Sequence, residues 1–150
     1  MRDQFIGDRI VLEQAMAFAI HHAYQRIRTT TYRAFREHDL DITPEQWMVL
    51  VRLWDRDALT PSELSATTLR DRPTMSRILD SMEARGLLVR EPDATDGRGR
   101  VVRLTRAGRA LRAPLTAVAR SLVGRIERGI PEDDLAVTRR TLRRIFDNLA

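Results

Sequence analysis

A mainly α single domain with one small β-hairpin is the fold class predicted by three features of this 150-residue chain. Two helix starts of the same kind, Thr43-Pro44-Glu45-Gln46 and Thr60-Pro61-Ser62-Glu63, lie close together. Two short aliphatic runs, Leu87-Leu88-Val89 and Val101 to Leu104, flank a turn-rich stretch from Pro92 to Gly99. Apolar residues recur at helical spacing over long segments near both ends.

The first element is a long helix over 8–38. Apolar residues from Ile10 through Ala15, then Phe18, Ala19, Tyr24 and Ile27, fall three and four apart, and Asp39-Leu40-Asp41 ends the pattern. Thr43 caps the second helix. Pro44 suits a first turn, where an amide N–H has no intrahelical partner, and Gln46 can close a capping box. Trp47, Leu50, Val51 and Trp54 line one face. The third helix uses the same device: Thr60 is the cap, Pro61 the first residue, and Glu63 the residue that reaches back.

After Leu69, the segment Arg70-Asp71-Arg72-Pro73 starts a fourth helix with Met75, Ile78, Leu79 and Met82 as its apolar stripe. Gly86 ends it. The two aliphatic runs then form a hairpin with a long tip. Thr105 caps a fifth helix carrying Leu111, Leu115, Val118, Leu122 and Ile126, which Pro114 should bend. A sixth begins near Pro131, with Leu135, Leu142, Ile145 and Leu149 on one side. With no linker or repeat to divide it, the chain reads as one domain over 1–150.

Composition excludes several functions. There is no cysteine, so disulfides, zinc-thiolate sites and thiol redox sensing are ruled out. No apolar run approaches the roughly 20 residues of a membrane span, and the N-terminus lacks the pattern of a secretory signal, so a soluble cytoplasmic protein with no membrane partner is expected. No phosphate-cradling glycine motif, His-Glu-x-x-His or nucleophile elbow appears, and no enzyme activity or cofactor is expected. Net charge is +5, and all 26 basic residues are arginine. Such a balance suits an anionic partner, nucleic acid first, although arginine usage also follows genomic base composition.

Two short helices followed directly by a hairpin give the order of a winged helix-turn-helix, whose second helix enters the major groove of double-stranded DNA. The polar residues agree. With the Met75–Met82 stripe facing inward, the start of the fourth helix presents Arg72, Pro73, Thr74 and Arg77, with Ser76 at the margin. These side chains suit base edges and phosphates, and the helix N-terminus adds partial positive charge. The hairpin tip carries Arg98, between Gly97 and Gly99, and then Arg100, and an arginine on a narrow loop can enter the minor groove.

Asp96-Gly97-Arg98, followed by Val102, Leu104-Thr105 and Gly108, fits a wing pattern of Asp-x-Arg and then aliphatic-x-Leu-Thr-x-x-Gly. Together with Arg72-Pro73-Thr74-Met75-Ser76-Arg77 and Glu83-Ala84-Arg85-Gly86-Leu87, it resembles the MarR (multiple antibiotic resistance) family of regulators over essentially the full length. The resemblance implies six helices in a homodimer. Helices near 8–38 and 106–149 would intertwine, and a winged helix-turn-helix over 43–105 would grip a pseudo-palindromic operator. It also implies that Arg98 enters the minor groove while Asp96 supports the wing, and that the protein is a repressor. The family's peroxide-sensing branch uses a reactive cysteine on the first helix, which this chain lacks.

Family members often bind small aromatic acids between the dimer helices and the DNA-binding lobe. His21, His22, Tyr24, Tyr32 and Trp47 are the candidates here for a small aromatic or anionic effector, since a carboxylate seeks a cation or N–H donor beside an aromatic wall. Trp47 and Trp54, seven apart on one face, are more simply core residues. Neighbouring helical residues point about 100° apart, so His21 and His22 do not chelate one ion, and no metal site is expected. The competing readings are an effector-independent architectural DNA-binding protein, marked by salt-sensitive binding with little sequence preference, and a protein-interaction module.

Overall fold

The computed structural model describes residues 5–6, 9–12, 15–94 and 99–150. A two-residue strand pair comes first: β1 (Phe5–Ile6) runs antiparallel to β2 (Arg9–Ile10), with Phe5 opposite Ile10. Helix α1 then spans Met16–Glu37, so the predicted start near residue 8 was too early. The Ile10-Val11-Leu12 run is short, apolar and partly β-branched, and periodicity does not separate helix from strand in such a run. The other end agrees. Asp39 takes the left-handed conformation at φ 58, and the Leu40 N–H returns to the Phe35 carbonyl at 2.9 Å, closing α1 as a glycine would.

Helices α2 (Pro44–Asp55) and α3 (Pro61–Thr68) begin at the predicted prolines, and both capping boxes are complete. The Gln46 amide donates to Thr43 Oγ1 at 3.2 Å while the Thr43 amide donates to Gln46 Oε1 at 3.1 Å. Glu63 and Thr60 repeat the exchange. Helix α4 (Arg72–Ala84) is capped by Asp71. It ends at Gly86, φ 66, where the Gly86 and Leu87 amides donate to the carbonyls of Glu83 and Met82 at 2.8 and 3.0 Å. Such a paired closure needs a left-handed residue, which glycine adopts without strain.

Strands β3 (Leu88–Pro92) and β4 (Arg100–Leu104) pair antiparallel from Leu88↔Leu104 out to Pro92↔Arg100. The first strand is longer than its aliphatic run, because cross-strand pairing with β4 recruits Arg90 and Glu91. Pro92 is tolerated at the end of the ladder. Leu59 adds an isolated antiparallel bridge to β4, its carbonyl accepting from the Val102 amide at 2.8 Å.

The predicted fifth helix is interrupted at one residue, Leu111, between α5 (Arg106–Ala110) and α6 (Arg112–Ile126); Leu111 keeps helical dihedrals (φ −69, ψ −15), as a disturbance caused by Pro114 requires. Pro114 supplies no N–H to the carbonyl four residues back, at Ala110, and its ring crowds that group. The hydrogen-bond ladder lapses there while the backbone runs on, the Leu111 amide donating to the Ala107 carbonyl at 3.3 Å and the Leu115 amide to the Leu111 carbonyl at 3.1 Å. Helix α7 (Glu132–Asp147) follows Pro131.

The core lies beneath the helix-turn-helix. Phe35, Leu50, Leu53, Leu64, Met75, Leu79, Met82, Leu88, Val102 and Leu115 are fully or almost fully buried, joining the end of α1, α2, α3, α4, the hairpin and the first half of α6. Trp47 and Trp54 are half-buried on its edge. Trp47 packs its ring against Phe35 at a tilt, centroids 5.5 Å apart, and meets Trp54 edge-on at 5.6 Å, so both serve the core. Helix α7 buries no residue; Val137, Leu142 and Phe146 are exposed along it, and Leu149 just after it. Among the described residues, no helix is long and apolar enough to cross a membrane.

Candidate nucleic-acid interface

Three elements converge on one surface. The first two turns of α4, the N-terminal turn of α3 and the hairpin enclose a cleft of about 480 Å³ whose lining includes Ser62, Arg72, Ser76, Arg90 and Arg100. Arg72, Pro73, Ser76 and Arg77 are exposed, as an element that enters a groove requires. Among the described residues, neither Arg72, Arg77 nor Arg100 has a carboxylate within ion-pairing distance. Their charge is therefore open to an external anion.

The start of α4 is organised by Asp71. Its Oδ1 accepts the Thr74 amide at 2.8 Å and its Oδ2 the Thr74 hydroxyl at 2.9 Å. These two bonds, helped by the Arg77 guanidinium, hold the Asp71 carboxyl below its ordinary value, so it stays ionised as a cap. Thr74 is half-buried with its hydroxyl proton committed to that cap, which leaves Arg72, Ser76 and Arg77 as the free face of the helix.

The hairpin is locked to α4 by a residue the sequence did not single out. Arg90 donates from its amide to Glu83 Oε1 and from Nε to Glu83 Oε2, both at 3.0 Å, and its guanidinium also pairs with Asp80. Opposite charges on either side of Gly86 were the available signal. The fold of the turn was needed to show that they meet. Arg100 heads β4 and projects at the same cleft. Asp96 and Arg98 lie outside the described residues.

The Leu104-Thr105-x-x-Gly108 stretch acquires a role in packing. Thr105 caps α5 by accepting the Gly108 amide at 3.1 Å and donates its hydroxyl to the Gly86 carbonyl at 2.6 Å. The Trp54 indole donates to the Gly108 carbonyl at 3.2 Å. The root of the wing, the end of α4 and α2 are thereby tied together.

The effector candidates do not form one site. Trp47 belongs to the core edge. His21 and His22 are exposed, with His22 stacked 4.0 Å from Phe18 one turn earlier. The Tyr24 hydroxyl accepts from Arg70 at 3.2 Å, and Tyr32, two helical turns on, lies under the Arg36 guanidinium at 5.9 Å. The cleft beside α1 is elsewhere. It measures about 400 Å³ between the end of α1 and α6, with Ala34, His38, Leu40, Val118, Leu122 and Arg125 in its walls. Among the described residues, no group of three or more His, Asp or Glu is placed to hold a metal ion.

Residues 40–99, which contain α2 through β3 and end just before β4, match the sequence profile of the MarR family. The transcriptional regulator HosA of Escherichia coli O157:H7 is 31% identical over 105 residues, covering 69% of this chain and 76% of HosA. The chain belongs to the MarR family. Solved structures agree over nearly the whole length of this regulator. BpsR of Bordetella bronchiseptica, whose structure concerns regulation of DNA binding by 6-hydroxynicotinic acid, superposes with a TM-score of 0.84 at 26% identity. The match covers 94% of this chain and 99% of BpsR. The transcriptional repressor CouR, solved on a 23-mer DNA duplex, superposes with a TM-score of 0.81 at 25% identity, covering 89% of this chain and 94% of CouR. The protein is thus a transcriptional regulator with a winged-helix DNA-binding fold, and its relatives are regulators rather than enzymes.

Proposed function

We propose that this regulator is a repressor that binds a pseudo-palindromic operator as a homodimer and leaves it when a small aromatic or anionic effector changes the spacing of its two lobes. Arg72, Ser76 and Arg77 would face the major groove, with Pro73 and the Asp71–Thr74 cap shaping the helix start. Arg100 and Arg98 would reach the minor groove or its phosphates, Asp96 supporting the wing. The observation that carries this reading is the convergence of unpaired arginines from α4 and the hairpin on one cleft. Electrostatic attraction to phosphate supplies sequence-independent affinity, and base-edge contacts from the exposed helix face supply discrimination.

The dimer is supported by what the single chain leaves uncovered. A compact chain of this length exposes about 7,800 Å², whereas this one exposes 11009 Å². Exposed apolar residues gather on α1 (Met16, Tyr24, Ile27), α6 (Val123, Ile126) and α7 (Val137, Leu142, Phe146). A second copy intertwining these helices would bury them and leave the region from α2 to β4 free as the DNA-binding lobe. Such a protein acts where DNA is, in the cytoplasm. The effector reading rests on BpsR and its aromatic acid, with the cleft between α1 and α6 as the space this fold offers.

Fluorescence anisotropy against fragments of the region upstream of its own gene, with nonspecific DNA and a salt series, tests the reading. Saturable binding at least roughly a thousandfold tighter than to nonspecific DNA supports an operator reader. Uniformly weak binding that collapses with salt would instead make it an architectural DNA-coating protein, and no binding at low salt would make it a protein-interaction module.

A further inference from the structure

A polar cluster connects α1 to the start of α4, the helix proposed to read DNA. Glu45, in the first turn of α2, has a side chain only 17% exposed, and its Oε1 accepts from Arg28 Nε on α1 at 2.8 Å. The same oxygen lies 3.7 Å from Arg70 Nη2, which also donates to the Tyr24 hydroxyl on α1 at 3.2 Å. Arg70 sits in the tight connection between α3 and α4, next to the cap Asp71. Its amide donates to the Ser65 carbonyl at 3.0 Å, and the preceding Leu69 takes the left-handed conformation at φ 54. Arg70 is thus adjacent in the chain to the residue that caps the first turn of α4.

The neighbour of Glu45 holds the other end. Gln46 is buried; its Nε2 donates to Ser81 Oγ and its Oε1 accepts from Arg85 Nη1, both at 3.3 Å. One turn of α2 thus grips α4 at its start, through Glu45 and Arg70, and near its end, through Gln46. Helix α1 reaches that turn with Arg28 and Tyr24.

We propose that Tyr24, Arg28, Glu45 and Arg70 form the joint through which the tilt of α1 sets the position of α4. On this view Glu45 and Arg70 are positioning residues for the distance between the two recognition helices. The proposal rests on the dimeric operator-binding reading, in which the exposed apolar face of α1 is covered by the second copy and its direction is set there. A carboxylate largely removed from water and shared by two arginines resists sliding, because losing either partner leaves a buried charge less compensated. A purely apolar contact between α1 and the reading head would slip more easily.

The test uses the full-length dimer and its operator, together with operators whose half-sites are moved together or apart by one and two base pairs. Wild-type protein, Glu45→Gln and Tyr24→Phe are titrated by anisotropy at one salt concentration, with thermal melts alongside. Tyr24→Phe removes only the hydroxyl that accepts from Arg70 and keeps the ring, so it keeps the test open should Glu45→Gln fold poorly. The expected result is that the wild-type preference for native over shifted spacing falls by about fivefold or more in Glu45→Gln, and in the same direction in Tyr24→Phe. Equal weakening at every spacing, with the wild-type preference retained, would mean that the cluster only stabilises the fold, and the proposal is overturned alone. Absence of any saturable operator for the wild type would overturn the operator reading and this proposal with it.

Discussion

Replacing Gly108 by alanine is a demanding test of the packing that supports the wing. A methyl group built there lies 2.1 Å from the Leu87 carbonyl oxygen and 3.0 Å from Leu104 Cδ2, so backbone must separate by about 1 Å to restore ordinary contact. Neither side yields readily. The Leu87 carbonyl is held by the Thr105 amide at 3.1 Å, and the Gly108 carbonyl by the Trp54 indole at 3.2 Å. Overpacking costs about 1–3 kcal/mol, and a clash with backbone places this site near the upper end. At about 2–4 °C per kcal/mol for a chain of this size, Tm should fall by about 6–12 °C. Calorimetric melts at a fixed protomer concentration provide the measurement, since association shifts apparent Tm. Gly124→Ala is the control: nothing lies within 4 Å of its new methyl, and the helical position should gain about 0.5–1 kcal/mol. A Tm for Gly108→Ala within about 2 °C of wild type would refute the close approach and the structural role given to the Leu-Thr-x-x-Gly stretch.

Leu79→Ala, at a fully buried position beneath the reading face of α4, should cost about 2–5 kcal/mol, seen as a lower urea midpoint at unchanged m. Arg77→Ala should lower the ratio of specific to nonspecific DNA affinity by about 1–3 kcal/mol, and an unchanged ratio removes Arg77 from base reading. Arg100→Ala should reduce the slope of log K against log salt by about 0.9 if the side chain neutralises one phosphate; an unaltered slope places it away from the DNA. Burial pushes the Glu45 carboxyl up, but the hydrogen bond from Arg28, its own amide and the charges of Arg28 and Arg70 outweigh burial and leave it below the ordinary carboxylate value. A lowered folded pKa contributes stability above the unfolded value of about 4.3, and that contribution is lost as pH falls through the folded value. Glu45→Gln should therefore flatten the acid limb of the stability profile below about pH 4 and leave its slope between pH 6 and 8 unaltered; a changed slope in that neutral range contradicts the assignment.

Features governed by residues three or four apart were readable in advance. Thr43 and Thr60 start helices where expected because the capping box is an exchange between a residue and its third successor. Gly86 ends α4 for a similarly local reason, and Met75, Leu79 and Met82 share a buried face because α-helical geometry places them there. The winged order and the exposed Arg72, Ser76 and Arg77 follow from those local rules, and the family assignment from motifs lying in the same stretch.

Whatever depended on distant partners required the tertiary fold. Whether Ile10 and Val11 extend a helix or pair as a strand depends on neighbours outside the run, and β3 reaches Pro92 because β4 lies beside it. Arg90 is a clamp rather than another surface arginine because the Gly86 turn brings Glu83 and Asp80 to it. The proposed effector residues scattered for the same reason: Trp47 was drawn into the core by Phe35 and Trp54, while Tyr24 was taken by Arg70. Local sequence carries backbone preference and the direction of each apolar face, but side-chain partnership is decided by which faces meet, and that is a property of the packed chain.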